Sequence, residues 1–232
     1  GSDIDGEATS DESGTSVGLS SDGSIVAIGA PYNDGNGDLS GHVRIYKNIN
    51  NTWTKIGSDI DGEATGDESG KSVSISSDGS IVAIGAPDND GNGTNSGHVR
   101  VYQNVNNIWT QVGSDIDGEG ENDKSGYSVS LSSDGSIVAI GAPHNAGNGS
   151  YSGHVRIYKN VNNTWTQVGS DIDGEDASDY SGWSVSLSSD GSVVAIGADF
   201  NDGNGTESGH VRIYKNVNNT WTKVGGDIDG EA

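Results

Sequence analysis

Carboxylates recur along this chain at a spacing that can hold a cation. Asp3, Asp5 and Glu7 alternate around a glycine, and the pattern returns as Asp59, Asp61 and Glu63, then Asp115, Asp117 and Glu119, then Asp171, Asp173 and Glu175. Asp11 follows four residues after Glu7. Calcium sites are built this way, because a turn converges oxygens that a straight strand would point apart. Asn33, Asp34 and Asn36, set among Gly35 and Gly37, form a second oxygen-rich turn, in which Ala146 replaces the aspartate of the third copy. The competing reading is a solvated acidic loop whose Asp and Asn side chains bond their own backbone.

His42, His98, His154 and His210 each stand two residues before an arginine, Arg44, Arg100, Arg156 or Arg212. On a strand both side chains of such a pair point to one side. Metal or catalytic work needs convergent partners. A pair repeated in every copy fits a structural role better, bonded to an acidic group or backbone of a neighbouring copy. Trp53, Trp109, Trp165 and Trp221 read as packing anchors. No nucleophile elbow or glycine-rich phosphate loop stands out against the repeat, so the expectation is a protein that is not an enzyme. Four equivalent sites would be unusual for catalysis and ordinary for multivalent binding.

The elements that must position these residues come in a 56-residue unit, with copies starting at Gly1, Gly57, Gly113 and Gly169 and a partial one at Gly225. A fixed period of this size means one supersecondary unit stacked on copies of itself. Each unit carries four strand signals. In the first, residues 16–20 alternate polar and apolar, Asp22-Gly23 supplies a hairpin turn, and residues 25–30 form a continuous apolar run. Residues 42–47 alternate again, Asn50-Asn51 turns the chain, and residues 52–56 close the unit. Such a run of residues as 25–30 reads as a strand buried on both faces.

No segment has helical spacing, so the fold class is all-β: a β-propeller built from four near-identical four-stranded antiparallel blades of 56 residues. A β-solenoid is the rival, with coils that are usually shorter and without regular hairpins. The blades divide as residues 1–57, 58–113, 114–169 and 170–225, with 226–232 as a surplus linker copy. Ring closure admits two forms. One is a closed four-blade ring. The other is a homodimer completing a ring of about eight blades.

Composition narrows the partners. Eleven basic against 34 acidic residues give a net charge of −23, which repels nucleic acid and anionic lipid. Apolar residues are only 30 % and glycines number 38, as suits short strands joined by tight turns. The absence of cysteine excludes a disulfide framework or thiolate metal site. No apolar run approaches membrane-spanning length, so no membrane insertion is expected. With no methionine and no signal peptide, the chain reads as a mature fragment or a piece of a longer array.

Ser13-Gly14-Thr15-Ser16-Val17 followed by Gly29-Ala30-Pro31 resembles the FG-GAP repeat of integrin α-subunit propellers and related bacterial surface proteins. The match recurs at Ser69 to Val73 with Pro87 and at Ser125 to Val129 with Pro143, while the fourth copy has Asp199 in place of proline. Serine replaces the family's phenylalanine before glycine in every copy. The resemblance implies blades of a secreted or cell-surface adhesion protein. It also implies a calcium loop in the first hairpin, but that hairpin has one carboxylate (Asp22, Asp78, Asp134 or Asp190), too few for an ion that takes six to eight oxygens. The family's metal site therefore does not carry over to these residues.

The copies differ in few places. One register position holds Thr15, Lys71, Tyr127 and Trp183, another Glu12, Glu68, Lys124 and Tyr180. Between the second and third strands, Tyr32, Asp88, His144 and Phe200 correspond, as do Leu39, Asn95, Tyr151 and Glu207. In a meander these loops share one end with the linkers. That end is the expected ligand-binding face, with Tyr32, Lys71, Tyr127, His144, Tyr151, Tyr180, Trp183 and Phe200 as its contact residues. Three functions fit: a recognition or adhesion module for a protein or carbohydrate ligand, a calcium-dependent lectin-like propeller, or a purely structural array. Loop drift is the plain alternative for the variation itself.

Overall fold

The computed structural model describes residues 2–231. The first sheet is formed by β1 (Ser16–Leu19), β2 (Ile25–Ala30), β3 (His42–Ile49), β4 (Thr52–Lys55) and β5 (Ile60–Asp61), and the same five strands recur in each later unit. The first four pair in chain order as an antiparallel meander, so the expected blade is present in all four copies. Tyr46 faces Lys55 and Asn48 faces Trp53 in the outer hairpin, whose Asn50-Asn51 turn has both residues left-handed at φ 52° and 64°. Two positive φ values make the tight turn that matches strand twist, and asparagine tolerates them.

The fifth strand departs from the sequence reading, which placed all of Asp59-Ile60-Asp61 in a linker. β4 covers only the C-terminal half of β3, and β5 pairs with its start, His42 facing Asp61 and Val43 facing Ile60. Gly57, at φ 78°, lets the edge strand break and resume. The alternation of Asp59, Ile60 and Asp61 is itself a strand pattern. It turns Ile60 inward, where it is 5 % exposed.

Three apolar cores lie between the four sheets. The first joins Val43, Ile45 and Ile60 of one sheet to Val82, Ile84 and Tyr102 of the next, and the other two repeat it. Each blade therefore has half a core and depends on its neighbours, as in other stacked repeats. Polar ties accompany the packing. Trp109 Nε1 donates to the Ile56 carbonyl at 2.9 Å, and Trp165 and Trp221 donate likewise to Val112 and Val168. Ser21, Ser77 and Ser133 each donate a backbone N–H to the serine carbonyl one unit further on. Ser16 Oγ reaches the Gly70 carbonyl at 2.7 Å.

The closed four-blade ring is not what forms. Successive inner strands pack on one another, but the fourth sheet does not return to the first. Val17 and Leu19 of β1 are 65 % and 59 % exposed, while their counterparts Val129 and Leu131 are buried. At the other end Ile228 is 58 % exposed where Ile172 is buried. Four sheets at this stacking angle make an open arc. Among the described residues no helix is long and apolar enough to cross a membrane.

Candidate functional site

The variable loops and the linkers do share one end of the arc. Asn36 Nδ2 donates to the carbonyls of Gly62 and Glu63, clasping each loop onto the next linker, and Asn92 and Asn148 repeat the clasp. Asp11, Asp67, Asp123 and Asp179 are buried beneath it. Each accepts from an asparagine amide, as Asp11 does from Asn33 at 2.9 Å, and from a nearby backbone N–H. These carboxylates hold turns together, which is the backbone-bonding alternative read from sequence.

Six of the eight residues proposed for the ligand face form one aromatic surface. Tyr127 and Trp183, on adjacent blades, have ring centroids 4.5 Å apart. Trp183 meets Tyr180 at 6.1 Å and Phe200 at 6.4 Å. Tyr180 in turn stacks on Tyr151 at 5.5 Å, and His144 abuts both at 5.2 and 5.5 Å. Tyr32 and Lys71 form a separate pair, the ammonium 5.7 Å from the ring centroid, a cation–π contact. At the boundary between the two groups, Asp88 pairs with Lys124. A cleft of about 320 Å³ opens beside Tyr180 and Phe200, with Ser178, Asp202, Thr206 and Glu207 supplying polar edges.

The backbone under this surface is unusual. Tyr180 and Tyr151 sit at φ 55° and 57°, in the left-handed region. Every residue of their two register positions does the same, from Glu12 and Leu39 to Lys124 and Glu207. Glycine or asparagine would fit there at lowest cost, and Asn95 shows that asparagine does. Bulky side chains in such conformations concentrate at functional sites.

Beside this surface lies a second feature, repeated in each unit. Glu7, His42 and Asp59 bring one donor atom each within 4.8 Å of one another, as do Glu63, His98 and Asp115, then Glu119, His154 and Asp171, then Glu175, His210 and Asp227. Each unit thus gathers three donor atoms of metal-ligating type. It takes the glutamate of one linker, the first aspartate of the next and the histidine that opens β3 or its equivalent. Asp227, in the last linker copy, was not among the sequence candidates. The remaining linker aspartates lie elsewhere: Asp61 is in β5, and its carbonyl accepts from Arg100 at 2.7 Å. The carbonyls of Asp5 and Asp117 do the same for Arg44 and Arg156. Asp3 and Asp173 belong to none of these groups.

Burial holds His42, His98 and His154 below the ordinary imidazole value. His98 and His154 are pushed down to about 4, chiefly by desolvation and next by Arg100 and Arg156. Burial also raises Glu63 and Glu119 above the ordinary glutamate value. The hairpin aspartates behave oppositely. Asp190 accepts from Ser188 and Ser192 hydroxyls and the Ser192 amide, which hold it down to about 2. Its Oδ1 is spent on the turn and the hairpin offers no second carboxylate, so the family's hairpin calcium loop does not fit these residues.

Four meandering sheets stacked face to face define a propeller-type repeat protein. The family model of the FG-GAP repeat matches residues 59–102 and 170–214, so the chain carries FG-GAP repeats there. These windows occupy the same register two units apart. No curated protein matches the sequence. Among solved structures, the chain resembles a candidate 6-phosphogluconolactonase from Bacteroides uniformis (TM-score 0.64, 12 % identity, 93 % of this chain and 55 % of that one). It also resembles the hydrazine synthase of Kuenenia stuttgartiensis (0.61, 12 %, 99 % and 53 %). A third likeness is to the periplasmic gluconolactonase of Pseudomonas aeruginosa (0.60, 14 %, 94 % and 57 %). At such identities the likeness is one of fold. The chain spans little more than half the length of each.

Proposed function

We propose that this protein is a non-enzymatic recognition module of the cell exterior, binding a protein or glycan through the aromatic surface of its third and fourth blades. The observation that carries the reading is the contiguity of Tyr127, His144, Tyr151, Tyr180, Trp183 and Phe200. These residues come from the few positions at which the repeats differ. Flat rings with polar edges suit the faces of sugars or the side chains of a partner, and aromatic anchors of this kind dominate binding energetics. Carbohydrate is the favoured class, because the cleft at Tyr180 and Phe200 is edged by hydroxyls and carboxylates that can accept from sugar hydroxyls. A glycan array probed with the wild-type chain and with Trp183→Ala/Tyr180→Ala tests the reading. Binding lost in the variant supports it, and binding unchanged in the variant sinks it.

A calcium-dependent, lectin-like version is the second reading, drawn from the carboxylate-rich linkers and the Asn/Asp loops beside them. Its mark is glycan binding that disappears with chelator and returns with calcium. Assembly belongs to the same reading. The exposed Val17 and Leu19 at one end, and Val211 and Ile228 at the other, are the two halves of the contact that joins successive blades. A second copy of the chain, stacked in the same sense at both ends, would complete a ring of about eight blades.

A further inference from the structure

From the side chains of the repeated acidic groups we infer a transition-metal site, of the zinc type, at Glu63, His98 and Asp115 and again at Glu119, His154 and Asp171. The proposal is independent of the ligand face. His98 is 1 % exposed, yet its Nδ1 has no hydrogen-bond partner and faces Glu63 Oε2 and Asp115 Oδ2, each at 3.9 Å. Its Nε2 is buried without a hydrogen-bond partner, so the ring is held by packing and only Nδ1 looks out toward the carboxylates. A nitrogen lone pair opposite two anionic oxygens, across a gap too wide for a hydrogen bond, is unfavourable without a positive charge between them. Metal–ligand bonds of about 2.0–2.2 Å to nitrogen and oxygen span a gap of this order. His154 Nδ1 repeats the arrangement, 3.9 Å from Glu119 Oε2.

The carboxylates are already aimed. Glu63 gives Oε1 to Arg100 at 3.3 Å, and Asp115 gives Oδ1 to Gln111 Nε2 at 2.5 Å. Each thereby keeps its other oxygen for the space before the imidazole. Outer partners that fix ligand orientation in this manner are a regular part of metal sites. One nitrogen and two single carboxylate oxygens suit a borderline ion such as zinc better than calcium, which prefers a larger all-oxygen shell. The carboxylates, 45 % and 30 % exposed, leave the ion an entry path and a position for water.

The four groups are not equal, and the difference lies one shell out. Where the inner groups have Gln111 and Gln167 on the aspartate, the outer ones have Lys55 and Lys223. A lysine ammonium against the aspartate cancels the remaining negative charge and opposes a second cation. In the fourth group Arg212 also holds Asp227, at 3.1 Å. The inner pair should therefore bind and the outer pair should not.

Calorimetric titration of the chelator-treated chain with zinc chloride, and separately with calcium chloride, tests this. Two zinc ions per chain are expected, one in Glu63→Gln and none in Glu63→Gln/Glu119→Gln. Because both glutamates are half exposed, these variants leave the folded spectrum in place, and circular dichroism checks it. Lys55→Gln/Lys223→Gln should raise the stoichiometry above two. No zinc binding by the wild type would overturn the proposal. So would equal binding in the double glutamine variant, or calcium bound more tightly than zinc at the same residues.

Discussion

Tyr180 donates its backbone N–H to the carbonyl of Tyr151 at 3.0 Å while their rings stack at 13° from parallel, both residues on left-handed backbone. The pair joins a loop of the third blade to the linker entering the fourth, so the aromatic surface is also a joint between blades. Left-handed conformation costs a non-glycine residue about 1–2 kcal/mol. The register supplies a clean test of that cost. Leu39, the 40 % exposed counterpart of Tyr151, takes no part in the ring stack of the third and fourth blades. Leu39→Asn should stabilise the chain by about 0.5–1 kcal/mol, read as a rise in thermal midpoint. Tyr151→Asn, which gains the same relief but breaks the stack, should show no such gain and should weaken ligand binding.

Acid should destabilise the fold before it protonates most carboxylates. His98 is faced by Arg100, Asp115, Asp67 and Glu63, and His154 by Arg156, Asp171, Asp123 and Glu119, yet both stay at about 4. In the unfolded chain they titrate near 6.5, so below that value only the unfolded state takes up these protons. Stability is full above 6.5 and falls as the pH drops toward 4, by about 3 kcal/mol for each histidine at most. Denaturant unfolding at pH 7 and pH 4.5 reads the slope. A curve flat across that window would contradict the burial assigned to these rings.

The tryptophan ties predict an internal contrast. Trp109→Phe keeps most of the packing but removes the bond to Ile56, and should cost about 1–2 kcal/mol. Trp53→Phe removes an indole N–H that makes no such bond among the described residues, and in the monomer should cost much less. Urea midpoints of the two variants decide it.

Glycine tolerance should follow the blade contacts as well. A methyl group on Gly85 would overlap the Gly126 carbonyl of the next blade, whereas on Gly197 of the single chain it would meet its own blade, chiefly the Ser184 side chain, so the contrast is read on the monomer. Gly85→Ala should cost at least about 3 kcal/mol, at the upper end of overpacking effects, and Gly197→Ala clearly less. Equal losses would show that the inter-blade contact is not the constraint.

Light scattering tests the assembly. A mass of two chains that persists on dilution fits the completed ring. A monomer at every concentration would count against it, and Val17→Asp/Leu19→Asp should yield monomer if the ring forms.

The sequence by itself determined the blade. A strict period, alternating strand residues, Asp22-Gly23 and Asn50-Asn51 turns and the apolar run of β2 are local properties, and local spacing sets them. It also singled out the variable aromatics, since comparing the copies needs no coordinates. Tertiary structure alone decided what met what. Ile60 reads as linker until β3 is seen to be longer than β4 and to need a second partner. The three residues of each acidic group come from two linkers and a strand some 35 and 17 residues apart, a convergence produced by the path of the blade. The angle between sheets, which leaves Val17 and Ile228 bare, arises from packing at three cores and is written in no single repeat. Period and turn are encoded residue by residue, while closure and convergence depend on how whole sheets settle against each other.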